Sequence, residues 1–134
     1  MNTVKTYQKI NIDKLDISFA ISTMEDIYTN RKGKVDKPHR HNYYTVLIIN
    51  KAKGLHKIDF NNYSLDKRQI YFVAPGQMHQ IIEKEKSEGY AMIFSCNFLI
   101  KNAIPLSFIS SLNLFHNYGQ SPPLLTDKEQ FNRI

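Results

Sequence analysis

Two short stretches carry the side chains most able to do chemistry. Gly33 is followed, after five intervening residues, by His39-Arg40-His41, and Pro75-Gly76-Gln77-Met78-His79 comes later. Histidines two apart on a strand share one face, because side chains alternate with a period of two. A third histidine behind a Pro-Gly turn can approach that face from a neighbouring strand. His39, His41 and His79 are therefore expected to converge on one interior spot. Imidazoles placed there can ligate zinc, iron, nickel or copper, or form the polar wall of a small-molecule pocket.

The surrounding residues favour the pocket. A three-histidine catalytic metal site needs a carboxylate on the same face, four or five positions beyond His41. Thr45 and Val46 stand there, and no carboxylate occurs between His41 and Asp59. Tyr43, Thr45, Leu47 and Ile49, in register with the histidines, are aromatic, hydroxylic or aliphatic. The sequence thus points to a dry effector pocket formed by His39, His41, Tyr43, Thr45, His79 and Tyr90, with no metal, no cofactor and no catalytic residue. Ser95-Cys96 has no base placed beside it. There is no Gly-rich phosphate loop and no pair of carboxylates at a strand end. His56 and His116 read as lone histidines, at the surface or satisfied within the core.

The elements that must position these residues are mostly strands. Leu15 to Ser22 alternates, with Leu15, Ile17, Phe19 and Ile21 on one face, as a half-buried strand does. Asn30 to Lys37 is charged, contains Gly33 and reads as a loop. Tyr43 to Asn50 is apolar at nearly every position, which predicts a strand covered on both faces. Leu55 to Phe60, Tyr63 to Leu65, Ile70 to Ala74, His79 to Glu83 and Tyr90 to Cys96 follow between turns. Short strands at this spacing predict an antiparallel sandwich or barrel over residues 1–96. Beyond Asn97 the pattern changes, and Phe98 to Phe115, interrupted by Pro105, suits short helices. Ser121-Pro122-Pro123 is a stiff connector. Thr126-Asp127-Lys128-Glu129 reads as a capping box opening a helix. With Ile134 only about two turns on, residues 97–134 are expected to hold a helical segment and the start of a longer helix of a larger protein.

Composition narrows the setting. The 134 residues suit one domain, and 8 Phe with 8 Tyr give ample material for a core. The net charge of +6 is densest at Arg31, Lys32, Lys34, Lys37 and Arg40, opposed locally by Asp36, and reads as a solvated loop. No helix-turn-helix spacing or basic recognition helix is visible, so this stretch is not expected to bind DNA itself. Cys96 is the only cysteine, which excludes an internal disulfide; its apolar neighbours suggest a small buried hydrophobe. Met1 to Gln8 lacks an apolar signal core and no run is long enough for a bilayer, so a cytoplasmic protein without membrane contact is expected.

Gly33-x5-His39-x-His41 resembles the first cupin motif without its glutamate, and Pro75-Gly76-x-x-His79 resembles a variant of the second. Pro38 to Tyr44, Ile70 to Gln80, Gly89 to Leu99, Asn113-Leu114-Phe115 and Pro122 to Leu125 are similar to the amino-terminal regulatory domains of AraC-type transcriptional regulators. Thr45 stands where that subgroup often has glutamate, and Ala52 and Arg68 replace turn glycines. The resemblance implies a cupin-type barrel (a double-stranded β-helix, or jelly roll) that senses a small molecule. It further implies a dimerisation helix, a homodimer in the full-length protein, and DNA binding through a carboxy-terminal helix-turn-helix region that this chain lacks. The alternatives are a stand-alone metal-dependent cupin enzyme using His39, His41 and His79, and a barrel that only dimerises.

Overall fold

A computed structural model describes residues 5–7, 19–116 and 119–134. Its strands are β1 (Lys5–Tyr7), β2 (Phe19–Thr23), β3 (His39–His41), β4 (Tyr44–Lys51), β5 (Gly54–Ile58), β6 (Asn61–Leu65), β7 (Gln69–Val73), β8 (Met78–Glu83), β9 (Glu88–Phe94) and β10 (Leu124–Leu125). The helices are α1 (Met24–Asn30), α2 (Cys96–Lys101), α3 (Leu106–Leu112) and α4 (Lys128–Asn132). None is long and apolar enough to cross a membrane. The protein is mostly β, as its short alternating segments predict.

The strands form two five-stranded sheets, in the orders β1-β3-β8-β5-β6 and β10-β7-β4-β9-β2. All pairings are antiparallel except β1 with β3. From β2 to β9, every connection but the β5–β6 hairpin carries the chain from one sheet to the other. The crossings are made by turns and by α1 with the loop after it, not by strands, so the hydrogen-bond ladders do not close. The expectation of a barrel is corrected to two separate sheets.

The central strands β4 and β8 face each other across the interior. On β4, Thr45, Leu47 and Ile49 point inward, while Val46 and Ile48 pack outward under the helices with Ile70, Phe94, Leu99 and Ile109. That is why the strand is apolar at nearly every position. Outside the second sheet Tyr44 stacks on Phe94 with ring centroids 5.1 Å apart, and Phe115 meets Tyr44 edge-on at 4.9 Å. Inside, Ile49, Ile58, Leu65, Tyr71 and Val73 fill the half of the sandwich spanned by β5, β6 and β7.

Several local expectations shift. Leu15 to Ser18 lie outside the described residues; in the rest of that strand Phe19 packs on Phe98, but Ile21 is 56% exposed. Helix α1 is additional: Thr23 caps it by accepting from the Asp26 amide, and Glu25 and Asp26 sit in its positive first turn. The last helix has its capping box one residue later than expected, between Asp127 and Gln130, since the Thr126 hydroxyl donates to the Arg68 carbonyl instead and an Asp carboxylate caps equally well. Cys96 is exposed rather than buried, because it opens α2 just after the Ser95 cap.

Two glycines set the path near the histidines. Ala74-Pro75-Gly76-Gln77 is a turn closed by the Gln77 amide on the Ala74 carbonyl at 3.2 Å, with Gly76 at φ +88, as a turn with proline second and glycine third requires. Gly54, at φ +136, lies so close to β8 that a Cβ would stand 1.9 Å from the Ile82 carbonyl oxygen. Gly54→Ala must push backbone aside, whereas Gly76→Ala meets nothing within 4 Å and costs only its left-handed strain. Urea unfolding should show Gly54→Ala losing at least about 2 kcal/mol and Gly76→Ala about 1 kcal/mol; equal losses would contradict the close approach.

Candidate functional site

Three imidazoles run in a row across the inner face of the first sheet. His39 on β3 stands opposite His79 on β8, and Ile58 on β5 stands opposite His79 on the other side. His56, two residues from Ile58, shares its inward face. The His39 and His79 rings meet edge-on at 4.4 Å, and His56 Nε2 lies 3.0 Å from His79 Nδ1. All three are buried, His56 completely. His39 and His79 therefore come together as the sequence predicts. His41 lies on β3, but its side chain is outside the described residues. His56 replaces the expectation of a lone histidine: it alternates with Ile58 inward while Lys57 points out, a period-two signal visible in the sequence.

Hydrogen bonding assigns the protons. A carbonyl oxygen only accepts, so His39 donates from Nδ1 to the Lys37 carbonyl at 2.6 Å. His56 Nδ1 is buried with no hydrogen-bond partner among the described residues. An orphaned buried N–H costs more than an orphaned lone pair, so His56 carries its proton on Nε2 and donates it to His79 Nδ1. Neutral His79 then bears its own proton on Nε2. Burial, with a smaller contribution from His39, depresses the His56 pKa from 6.5 to about 3.

The row leads from the filled half of the interior to a cavity of about 400 Å³ in the other half. The cavity has room because three inward positions of β2 and β9 are small: Ala20, Ser22 and Ala91 line it and leave space that larger residues would fill. Leu47, Ile27, Ile81 and Ile93 are its larger apolar lining, and His39, His79, Tyr43, Thr45, Arg31 and Asp36 its polar lining, the two kinds interspersed on both sheets. Four of the six expected pocket residues therefore line it. Tyr90 does not, and this corrects the sequence reading. Alternation along β9 turns Ala91 and Ile93 inward, leaving Tyr90 52% exposed on the outer face beside Ile21, Ile48 and Phe131.

Arg31 and Asp36 were expected in a solvated loop, yet they hold that segment against the cavity mouth. Arg31 Nη2 lies 2.5 Å from Glu83 Oε1, and Glu83 also accepts from the Ser87 hydroxyl. Asp36 Oδ2 accepts from the Ile81 amide at 2.8 Å, its Oδ1 is 3.5 Å from His39 Nδ1, and its carbonyl accepts from Gln80. Burial raises the Asp36 pKa against these lowering partners. Neither contact partner was legible, since both lie more than forty residues away along the chain. Thr45 Oγ1 and Arg31 Nε, both on the cavity wall, are buried without a hydrogen-bond partner among the described residues.

No protein-family model and no curated protein matches the chain.

The histidine row makes a signed prediction. The folded pKa of His56 lies below its unfolded value, so between pH 6.5 and about 3 the unfolded chain binds the extra proton. Stability contributed by neutral His56 is full above pH 6.5 and is lost as pH falls through that window. One proton corresponds to about a tenfold drop in the folding equilibrium constant per pH unit. Denaturant titrations from pH 7 to pH 4 should show this slope reduced by one proton in His56→Gln; an unchanged slope would refute the assignment.

Proposed function

We propose that this chain is the effector-sensing and dimerisation domain of an AraC-type transcription regulator, a cupin-type jelly roll of two open sheets acting in the cytoplasm as a homodimer. The observation that supports it is the cavity between the sheets, whose lining is aliphatic with a few polar side chains among it, the usual make-up of a small-molecule site. The resemblance of Gly33-x5-His39-x-His41 and Pro75-Gly76-x-x-His79 to the motifs of that group supports it too, since His39 and His79 of those motifs both line the cavity.

In this reading the effector acts through α1 and the segment after it. Ile27, Arg31 and Asp36 bring that segment to the cavity, and its anchors to β8 are few: Arg31 on Glu83, Asp36 on the Ile81 amide and Gln80 on the Asp36 carbonyl. An effector that binds one placement of the segment better than another shifts its population by that differential affinity, and binding without such a difference shifts nothing. The shifted segment then changes how a helix-turn-helix region elsewhere in the polypeptide is presented to DNA.

A mobility-shift assay with the regulator's own promoter, at physiological salt with excess competitor DNA, tests the division of labour. Residues 1–134 should give no competitor-resistant complex, because no element here suits the major groove, whereas the full-length polypeptide should give one. A competitor-resistant complex with residues 1–134 would refute the proposal. Elemental analysis supplies the second check: about one equivalent of zinc, iron or nickel, lost in His39→Ala, would favour a metal-dependent enzyme instead.

A further inference from the structure

The stretch that carries α4 is held to the sandwich at one buried point, and that point shares a hydrogen-bond network with the strand bearing His79. We propose that residues 119–134 form a detachable strap latched at Ser121, and that Asp59 and Gln77 set the strength of the latch from the β8 side. Its use in signalling rests on the reading of the cavity as the effector site; the latch itself does not.

Little else holds the strap. Ser121, 3% exposed, is the only buried residue from Gly119 to Ile134. Strand β10 pairs with the edge of β7, yet Leu124 and Leu125 stay exposed. Thr126 bonds the Arg68 carbonyl through its amide and its hydroxyl, and Phe131 is half-buried beside Ile48 and Met92. A segment with so little buried apolar surface opens at a free energy below that of the whole domain.

The latch is polar and fully paired. The Ser121 amide donates to the Tyr63 hydroxyl at 2.7 Å, and the Ser121 hydroxyl accepts from Gln77 Nε2 at 3.3 Å. Gln77 is itself buried: its Oε1 accepts from the Ala74 amide at 2.9 Å, and its Nε2 also donates to Asp59 Oδ2 at 3.0 Å. The Ala74 amide can only donate, so it fixes which end of the Gln77 side chain faces Ser121. Asp59 completes the network from the β5–β6 turn. Its Oδ1 accepts from the Met78 amide at 3.1 Å, and its own amide donates to the Met78 carbonyl at 2.7 Å. Met78 precedes His79, which lines the cavity. Asp59 also holds a left-handed backbone, φ +53, which a residue other than glycine keeps only where its surroundings over-determine it.

This network gives the strap two states and gives the turn ahead of His79 a means to bias them. Docked, Gln77 Nε2 shares its two protons between Asp59 and Ser121. Undocked, it keeps Asp59 and turns the other proton to solvent, so release strands no buried donor. An effector that shifts His79 disturbs the Met78–Asp59 pairing, and through Gln77 the placement of α4. By reciprocity, release of the strap loosens that pairing.

Amide hydrogen exchange of this chain, followed by NMR with no ligand added, tests the latch through two variants. In the wild type the Ser121 and Thr126 amides should exchange at least about tenfold faster than the slowest β4 amides, through an opening that leaves β4 protected. Asp59→Asn keeps the size and the tolerance of a left-handed backbone. Either orientation of the new amide, however, sets one donor against another, at Gln77 Nε2 or at the Met78 amide. It should speed exchange at Ser121 and Thr126 about three- to tenfold. Ser121→Ala should speed Thr126 by a similar factor and, in return, the Met78 amide about threefold; this arm carries the test even if Asp59→Asn fails to fold. Strap amides that exchange only together with β4 would overturn the detachable strap. Unchanged strap exchange in Asp59→Asn, or unchanged Met78 exchange in Ser121→Ala, would overturn the link to β8. Because no ligand enters the measurement, these failures are distinct from failure of the effector reading, which the mobility-shift and elemental measurements address.

Discussion

An imidazole buried between two sheets is destabilising unless its nitrogens find partners, and the wall facing the cavity is organised around that constraint. His56, at the filled end, is held neutral by burial and donates to His79; His79 meets His39 edge-on; His39 donates to the Lys37 carbonyl beside Asp36. His56 and His79 each meet a ring on the neighbouring strand, and His39 is anchored by the chain just ahead of its own strand. The order β3-β8-β5 is thus more than a consequence of hydrophobic burial, because it places the three strands that carry these rings side by side.

The same row joins stability to function. Its filled end lies among Ile58 and Tyr71, where the His56 ring meets Tyr71 edge-on at 4.5 Å. Its other end lies on the cavity, where small residues on β2 and β9 leave room. Packing one half of the sandwich to density and leaving the other half hollow gives a rigid support beside an adaptable space. The segment from Arg31 to Asp36 borders that space with side chains reaching β8, so its placement depends on a few polar contacts, the Arg31–Glu83 pair among them.

Much of this was legible in the sequence where a single period governs. The inward face of His39, the doubly covered β4 and the inward placement of Tyr43, Thr45, Leu47 and Ile49 all follow from alternation by two, and the structure places them so. His56 obeys the same rule and takes the core place of the two expected for it; its bond to His79 is set only by the pairing of β5 with β8. Tyr90 failed because its strand begins at Glu88, and alternation from there puts Ala91, not Tyr90, on the inner face. Helix α1 is too short at seven residues to show a periodic face, and its cap at Thr23 was its sole mark. Arg31 and Asp36 lay beyond reach for a different reason: charge runs read as solvated unless their distant partners are known, and Glu83 and Ile81 are set beside them only by the fold.

The direction of hydrogen bonding along the imidazole row fixes how the three strands are joined beside the cavity. Nitrogen-15 chemical shifts of the histidine side chains at neutral pH measure it directly. The account predicts neutral His56 and His79 protonated on Nε2, with His39 protonated on Nδ1. A proton on His79 Nδ1, donated toward His56, would contradict it.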